Sequence, residues 1–255
     1  MDSSMPTAGE ILVWTMDVAA APATTVAHWR LCLDESEQTR ADRFHFEADR
    51  TTFVAAHWLL RHALAETDGL PSARWRFVSE ENGKPQIDPA LGRPGLQFNL
   101  SHSRGFAACA VTRDAPIGID VETISARRSS LEIAESFFSP TEIAILRMAP
   151  PDEQRRTFYR LWTLKEAYIK ATGEGLRRRL DSFSFSLDPT TVVFHPGDPA
   201  EADRWTFVER RPTPRHVLAI ATRQPRATRV RLASLACSAD GHIEGADRSG
   251  AMAAS

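Results

Sequence analysis

The order in which extended and helical patterns follow one another is what most constrains this chain. Short apolar or alternating runs crowd its middle, at residues 96–101, 106–112 and 117–122, separated only by Ser-His-Ser-Arg-Gly and Arg113-Asp114-Ala115-Pro116. Three helical patterns then follow without interruption, at 131–138, 141–148 and 153–172, the second introduced by Ser139-Pro140-Thr141-Glu142, a helix start with proline in its first turn. Extended runs return at 183–187, 191–194, 205–210, 216–221 and 229–236. Strands and helices gathered into separate clusters predict an α+β fold rather than a βαβ wound sheet. Nearer the start, 11–18 reads as a strand. Residues 47–66 form a strong helix pattern, with Phe53, Val54, Trp58, Leu60, Ala63 and Leu64 toward one side, stopped by Asp68-Gly69-Leu70-Pro71. A short strand at 75–79 leads into the turn Glu81-Asn82-Gly83-Lys84-Pro85.

Composition narrows the function classes. With 31 basic and 33 acidic residues in 255, the net charge of −2 leaves no bulk field for nucleic acid or an acidic membrane. No stretch approaches the roughly eighteen apolar residues of a membrane span, and the first twenty-five residues lack the basic start and apolar run of a signal peptide. Cys32, Cys109 and Cys237 stand far apart with no CxxC pair, which predicts reduced thiols rather than disulfides or a zinc site. The expectation is a soluble cytoplasmic protein. No fixed-period repeat is visible.

Three segments carry groups with possible chemistry. In Ile117-Gly118-Ile119-Asp120-Val121-Glu122 the isoleucines and valine share one strand face, while Gly118, Asp120 and Glu122 share the other. The two carboxylates then stand about 7 Å apart. They suit a hard cation such as magnesium, or are simply the wet face of the strand; Gly118 favours a place where a ligand or backbone comes close. In the helix Phe158-Tyr159-Arg160-Leu161-Trp162-Thr163-Leu164-Lys165-Glu166-Ala167-Tyr168-Ile169-Lys170, Lys165 falls inside the apolar arc, so its ammonium needs an anion or must snorkel out. Glu166 and Lys170 lie one turn apart at the edge of that arc and can form a surface ion pair. In Phe98-Asn99-Leu100-Ser101-His102-Ser103 a hydroxyl and an imidazole stand at a strand end, able to hold a phosphate or a base, or serving only a turn; no GxSxG elbow accompanies them.

Gly83-Lys84-Pro85, the segment 98–103, the strand 117–122 and the helix 162–170, in that order and continuing through Leu180-Asp181-Ser182-Phe183-Ser184-Phe185, resemble the Sfp-type 4′-phosphopantetheinyl transferases. The resemblance implies transfer of the phosphopantetheine arm of coenzyme A to a serine hydroxyl of an apo acyl or peptidyl carrier protein, with release of adenosine 3′,5′-bisphosphate. It implies a pseudo-dimer of two similar α+β halves with the active site in the cleft between them. The halves are expected at residues 1–113 and 114–237, followed by a mobile tail at 238–255, in a chain that needs no partner copy and is therefore expected to be a monomer. By matching motifs, Asp120, Glu122 and Glu166 would hold Mg2+ on the pyrophosphate, and Glu166 is the family's candidate base. Ser101, His102 and Lys84 would contact the coenzyme's 3′-phosphate and nucleotide, Lys165 and Lys170 would supply charge near the pyrophosphate, and Arg40 would grip the nucleotide end.

The sequence departs from the family pattern at Glu37, where relatives can have lysine, and at Thr52 and His57, where many have arginine. Carrier proteins are usually acidic along their recognition helix, so a basic docking lip is expected, with Arg127-Arg128 and Arg177-Arg178-Arg179 as candidates. Arginine supplies 28 of the 31 basic residues, and all three lysines, Lys84, Lys165 and Lys170, fall in the motifs assigned to phosphate. A magnesium-dependent phosphoanhydride hydrolase and a non-catalytic coenzyme A binding module remain the alternatives.

Overall fold

A computed structural model describes residues 5–79, 83–125, 130–197, 199–224, 229–237 and 243–253. The fold is α+β and divides into two compact units, Met1–Ala115 with Arg229–Met252, and Pro116–Thr228 with the last three residues.

The first unit opens with β1 (Glu10–Asp17), followed by α1 (Ala23–Arg30), α2 (Glu35–Asp42) and the long α3 (Glu47–Asp68). Neither α1 nor α2 has a strong apolar period. α2 is polar apart from the buried Ala41 and starts on a capping box, in which the Asp34 side chain accepts from the Glu37 N–H while Glu37 reaches back to the Asp34 N–H. α3 carries Phe53, Leu60 and Leu64 into the core beside Trp14, Trp29 and Trp75. It ends at Gly69, whose φ of 81° is the left-handed cap that glycine adopts without a Cβ penalty. A hairpin of β2 (Phe77–Ser79) and β3 (Pro85–Ile87) leads to β4 (Leu96–Ser103) and β5 (Phe106–Arg113). Antiparallel pairing gives the order β1-β5-β4.

The second unit begins with β6 (Ile117–Thr123), then α4 (Ser130–Phe137), α5 (Pro140–Met148) and the long α6 (Gln154–Thr172). β7 (Phe183–Ser186) and β8 (Thr191–Phe194) form a hairpin, and the short α7 (Pro199–Ala202) precedes β9 (Thr206–Thr213) and β10 (His216–Thr222). The sheet order is β6-β10-β9, antiparallel throughout. The second unit therefore repeats the pattern of the first: a strand, a long helix, then two strands of which the last pairs with the first. Phe158, Leu161, Leu164 and Tyr168 of α6 pack with Phe183, Phe185, Trp205 and Phe207 in this unit's core.

The chain then returns to the first unit. β11 (Arg229–Cys237) runs parallel to β1, and β12 (Ile243–Ala253) pairs outside it, extending that sheet to β12-β11-β1-β5-β4. The sequence reading places 229–236 in the second half and leaves 238–255 as a mobile tail; the structure assigns β11 to the first unit and residues 243–253 to a strand. Its letters, Ile-Glu-Gly-Ala-Asp-Arg-Ser-Gly-Ala-Met-Ala, give no alternation because an edge strand is held mainly by backbone pairing.

β6 differs from the sequence expectation in its surroundings. Ile117, Ile119 and Val121 are buried, but so are Gly118 and Asp120 on the supposedly wet face. α6 covers that face. A Cβ built on Gly118 would run into the carbonyl oxygen of Ala167 and the amide nitrogen of Ala171, so it is helix backbone, not ligand, that approaches the glycine. Gly118→Ala should cost on the order of 2–3 kcal/mol by overpacking, about 4–12 °C in the unfolding midpoint of the chain; calorimetry showing an unchanged midpoint would contradict the packing.

Candidate active site

In the second unit, the contact at Gly118 brings one face of α6 over Asp120. The Lys170 ammonium, from the last turn of α6, stands 2.6 Å from Asp120 Oδ1 and also donates to the Ile119 carbonyl at 3.3 Å. Glu166, one turn earlier, is half-buried. Burial raises its pKa, the Asp120 carboxylate raises it further, and Lys170 opposes both. The expected surface pair between Glu166 and Lys170 is thus a three-body group that includes Asp120. Glu122 lies two residues along β6, half-exposed, at its end.

Among the described residues no three His, Cys, Asp or Glu side chains gather into a metal-binding group, so Asp120, Glu122 and Glu166 do not stand as a closed ligand set. The donors nevertheless suit a hard cation: all are carboxylates, and Asp120 raises the pKa of Glu166, a repulsion that a divalent ion between them would relieve.

Lys165 is placed differently from what the resemblance implies. Its side chain is 0% exposed. The ammonium meets Glu142 Oε2 at 2.8 Å and donates to the carbonyls of Leu180 and Phe183, each at 2.7 Å, which uses all three of its protons. It also lies 4.3 Å from the centre of the Phe183 ring. Burial lowers its pKa and the Glu142 carboxylate opposes that shift. Of the two outcomes open in the sequence, an anion or snorkelling to solvent, the structure has the anion, Glu142 of this chain, and Lys165 has no proton left to offer the pyrophosphate. Sequence reasoning took Ser139-Pro140-Thr141-Glu142 only as a helix start; the same capping glutamate is the partner.

In the first unit, the residues assigned to the nucleotide end are partly brought together. The Arg40 guanidinium, on α2, lies 5.3 Å from the centre of the Phe53 ring, and the His102 ring meets Phe53 edge-on at 6.1 Å. The buried Phe53 of α3 thus gathers both. Ser101, adjacent in sequence, alternates to the opposite face of β4 and is buried there. Lys84 is half-buried at the entry to β3 and lines a cavity of about 240 Å3 with Asp88, Arg93 and Phe98; Arg40, Ser101 and His102 are not among its walls.

The departures from the family pattern have structural partners. Glu37 Oε2 pairs with Arg61 at 2.7 Å and Glu37 Oε1 with His57 Nδ1 at 2.7 Å. Thr52 accepts from the Gly105 amide at 3.0 Å and so fastens the β4–β5 turn, where Arg104 and Gly105 both take positive φ. Of the expected basic lip, Arg127 and Arg128 lie outside the described residues. Arg177 is exposed, while Arg178 lies over Tyr168, Phe183 and Phe194 and pairs with Glu174 at 3.0 Å. Arg179 pairs with Asp181 at 2.6 Å on the surface.

A family model described as the 4′-phosphopantetheinyl transferase superfamily matches residues 116–221. A second, described as 4′-phosphopantetheinyl transferase, N-terminal, matches residues 22–114. The two ranges meet where the structural units do. The chain is 34% identical over 212 residues to 4′-phosphopantetheinyl transferase HetI of Nostoc sp., covering 83% of this chain and 87% of that protein. It is 36% identical to 4′-phosphopantetheinyl transferase psf-1 of Bacillus pumilus over 75% of this chain and 79% of that one. With 4′-phosphopantetheinyl transferase Sfp of Bacillus subtilis it shares 39% identity over 61% of this chain and 66% of the relative.

The Glu37 pairing has a measurable consequence. Burial by itself would raise its pKa, but His57 and Arg61 together bring it to about 2, from an ordinary 4.5. Between those values the unfolded chain binds the proton and the folded chain does not, so stability is present above pH 4.5 and is lost as pH falls toward 2. Glu37→Gln should remove roughly 3 kcal/mol of that acid-dependent loss; urea unfolding with the same pH slope in both proteins would contradict it.

Proposed function

This chain belongs to the 4′-phosphopantetheinyl transferase superfamily, as a member of the Sfp type, and from that premise we propose that it moves phosphopantetheine from coenzyme A to a serine hydroxyl of an apo acyl or peptidyl carrier protein. The observation that carries the reading is the seating of α6 on Gly118, which brings Asp120, Glu166 and Lys170 together within the range matched by the superfamily model.

In the reaction the serine oxygen attacks the phosphorus of phosphopantetheine, the P–O bond to the nucleotide breaks, and adenosine 3′,5′-bisphosphate leaves. Catalysis of this kind is chiefly positioning and neutralisation of charge on phosphate oxygens. Lys170 supplies a cation at the site, held at its place by Asp120. Glu166 is the base for the serine proton, and burial beside Asp120 favours that role because it raises the pKa toward the working pH. Asp120, Glu122 and Glu166 would hold magnesium, which supplies charge neutralisation on the pyrophosphate when bound. Arg40 and His102 at Phe53, together with Lys84 and Ser101, serve the nucleotide end in this reading. The repeated strand order of the two units supports two similar halves. Arg177 and Arg179 remain as the exposed basic groups for an acidic carrier, whereas Arg178 serves the fold. A monomer acting in the cytoplasm completes the proposal.

The test is to incubate the protein with coenzyme A, magnesium and an apo carrier domain and to weigh the carrier by mass spectrometry. A gain of one phosphopantetheine is expected, and Asp120→Ala should lower the rate at least 100-fold with an unchanged circular dichroism spectrum. Nucleotide released without a heavier carrier would point to hydrolysis and contradict the proposal.

A further inference from the structure

Glu142 lies outside the group at Asp120, yet it is 0% exposed and fully engaged. Its Oε1 accepts from the Phe185 amide at 2.9 Å, and its Oε2 meets the Lys165 ammonium at 2.8 Å, the Ser139 amide at 3.0 Å and the Ser139 hydroxyl at 2.9 Å. The chain of hydroxyls continues outward. Ser184 donates to Ser139 at 2.8 Å, so the remaining contact of Ser184, 2.8 Å from His195 Nε2, is one in which the imidazole donates. α5 and the β7–β8 hairpin therefore meet at one carboxylate directly, and α6 and the turn at Leu180 are tied to it through Lys165.

We propose that Glu142 is a positioning residue for the transfer, acting through Lys165 to set the rotation of α6 and hence the place of the Glu166 carboxylate. Lys165 directly precedes Glu166, and a side chain pinned by three hydrogen bonds in a dry site leaves the helix little freedom to turn. Magnitudes make this matter. A carboxylate at about 6 Å from a helix axis moves by about 1 Å for a 10° rotation, and misplacing a reacting group by about 1 Å can cost on the order of 100-fold in rate. On the opposite side, Gly118 blocks translation of α6 toward the sheet but presents no side chain to resist rotation. The proposal rests on the functional reading above, in which the Glu166 carboxylate stands at the reacting group.

The test compares wild type with Glu142→Gln and Glu142→Asp in steady-state transfer and in amide hydrogen exchange of the intact protein. Glu142→Gln should lower kcat about 100-fold while KM for coenzyme A and for apo carrier stays within about 3-fold, and protection of the amides of residues 166–170 should fall while that of β9 and β10 is kept. Glu142→Asp, which keeps the charge, should recover at least 10-fold of the loss. If Glu142→Gln does not fold, Ser184→Ala breaks the same chain one bond further out and should lower kcat about 3–10-fold at unchanged KM. A kcat within 2-fold of wild type for the variant that folds, or a loss carried by KM, would overturn the proposal. Absence of transfer by wild type would instead sink the functional reading, and unchanged protection at 166–170 in the folded variant would overturn the positioning role independently.

Discussion

The close approach of α6 to β6 at Gly118 is the contact on which the second unit depends. Only a residue without a Cβ lets the backbone of Ala167 and Ala171 lie against the strand. Because Glu166 adjoins Ala167 and Lys170 adjoins Ala171, the same contact sets both side chains beside Asp120, two residues along β6. Packing and chemistry are thus one geometric fact. A bulkier residue at 118 would lift the helix and separate the charges together.

A helix held so tightly must also dispose of the charge on its inner side. A buried unpaired ammonium costs several kcal/mol, and removing one partner of a buried pair costs about 3–5 kcal/mol. Lys165 meets this by spending every proton on Glu142 and two carbonyls, with an aromatic face 4.3 Å away. Glu37 plays a comparable part in the first unit, where Arg61 and His57 share its carboxylate. In both cases a residue that looks anomalous in the sequence is explained by a counter-charge distant along the chain: 23 residues separate Lys165 from Glu142, and Arg61 stands 24 from Glu37.

Much of this was legible in the letters. The segregated patterns gave α+β, and the alternation of 117–122 located the strand with its two carboxylates and flagged Gly118 as a place of close approach. Lys165 inside an apolar arc left two outcomes, an anion or a snorkelling ammonium, and the structure has the first. What the letters lacked was the identity of that anion, since a capping glutamate and a charge partner look alike until the helices are packed. Ser101 and His102 seem a pair in sequence but fall on opposite faces of β4, because strand side chains alternate. Helices α1 and α2 and the edge strand β12 carry too little apolar period to be read: α1 buries only Trp29, α2 starts on its capping box, and β12 is held by backbone pairing.

The most direct measurement is the single-turnover rate of transfer from coenzyme A to an apo carrier by Gly118→Ala, taken at a temperature where the variant is folded and compared with wild type. The account predicts a fall of at least 10-fold, since the helix cannot keep Glu166 and Lys170 beside Asp120 once a methyl group stands between helix and strand. A folded variant transferring at the wild-type rate would contradict it.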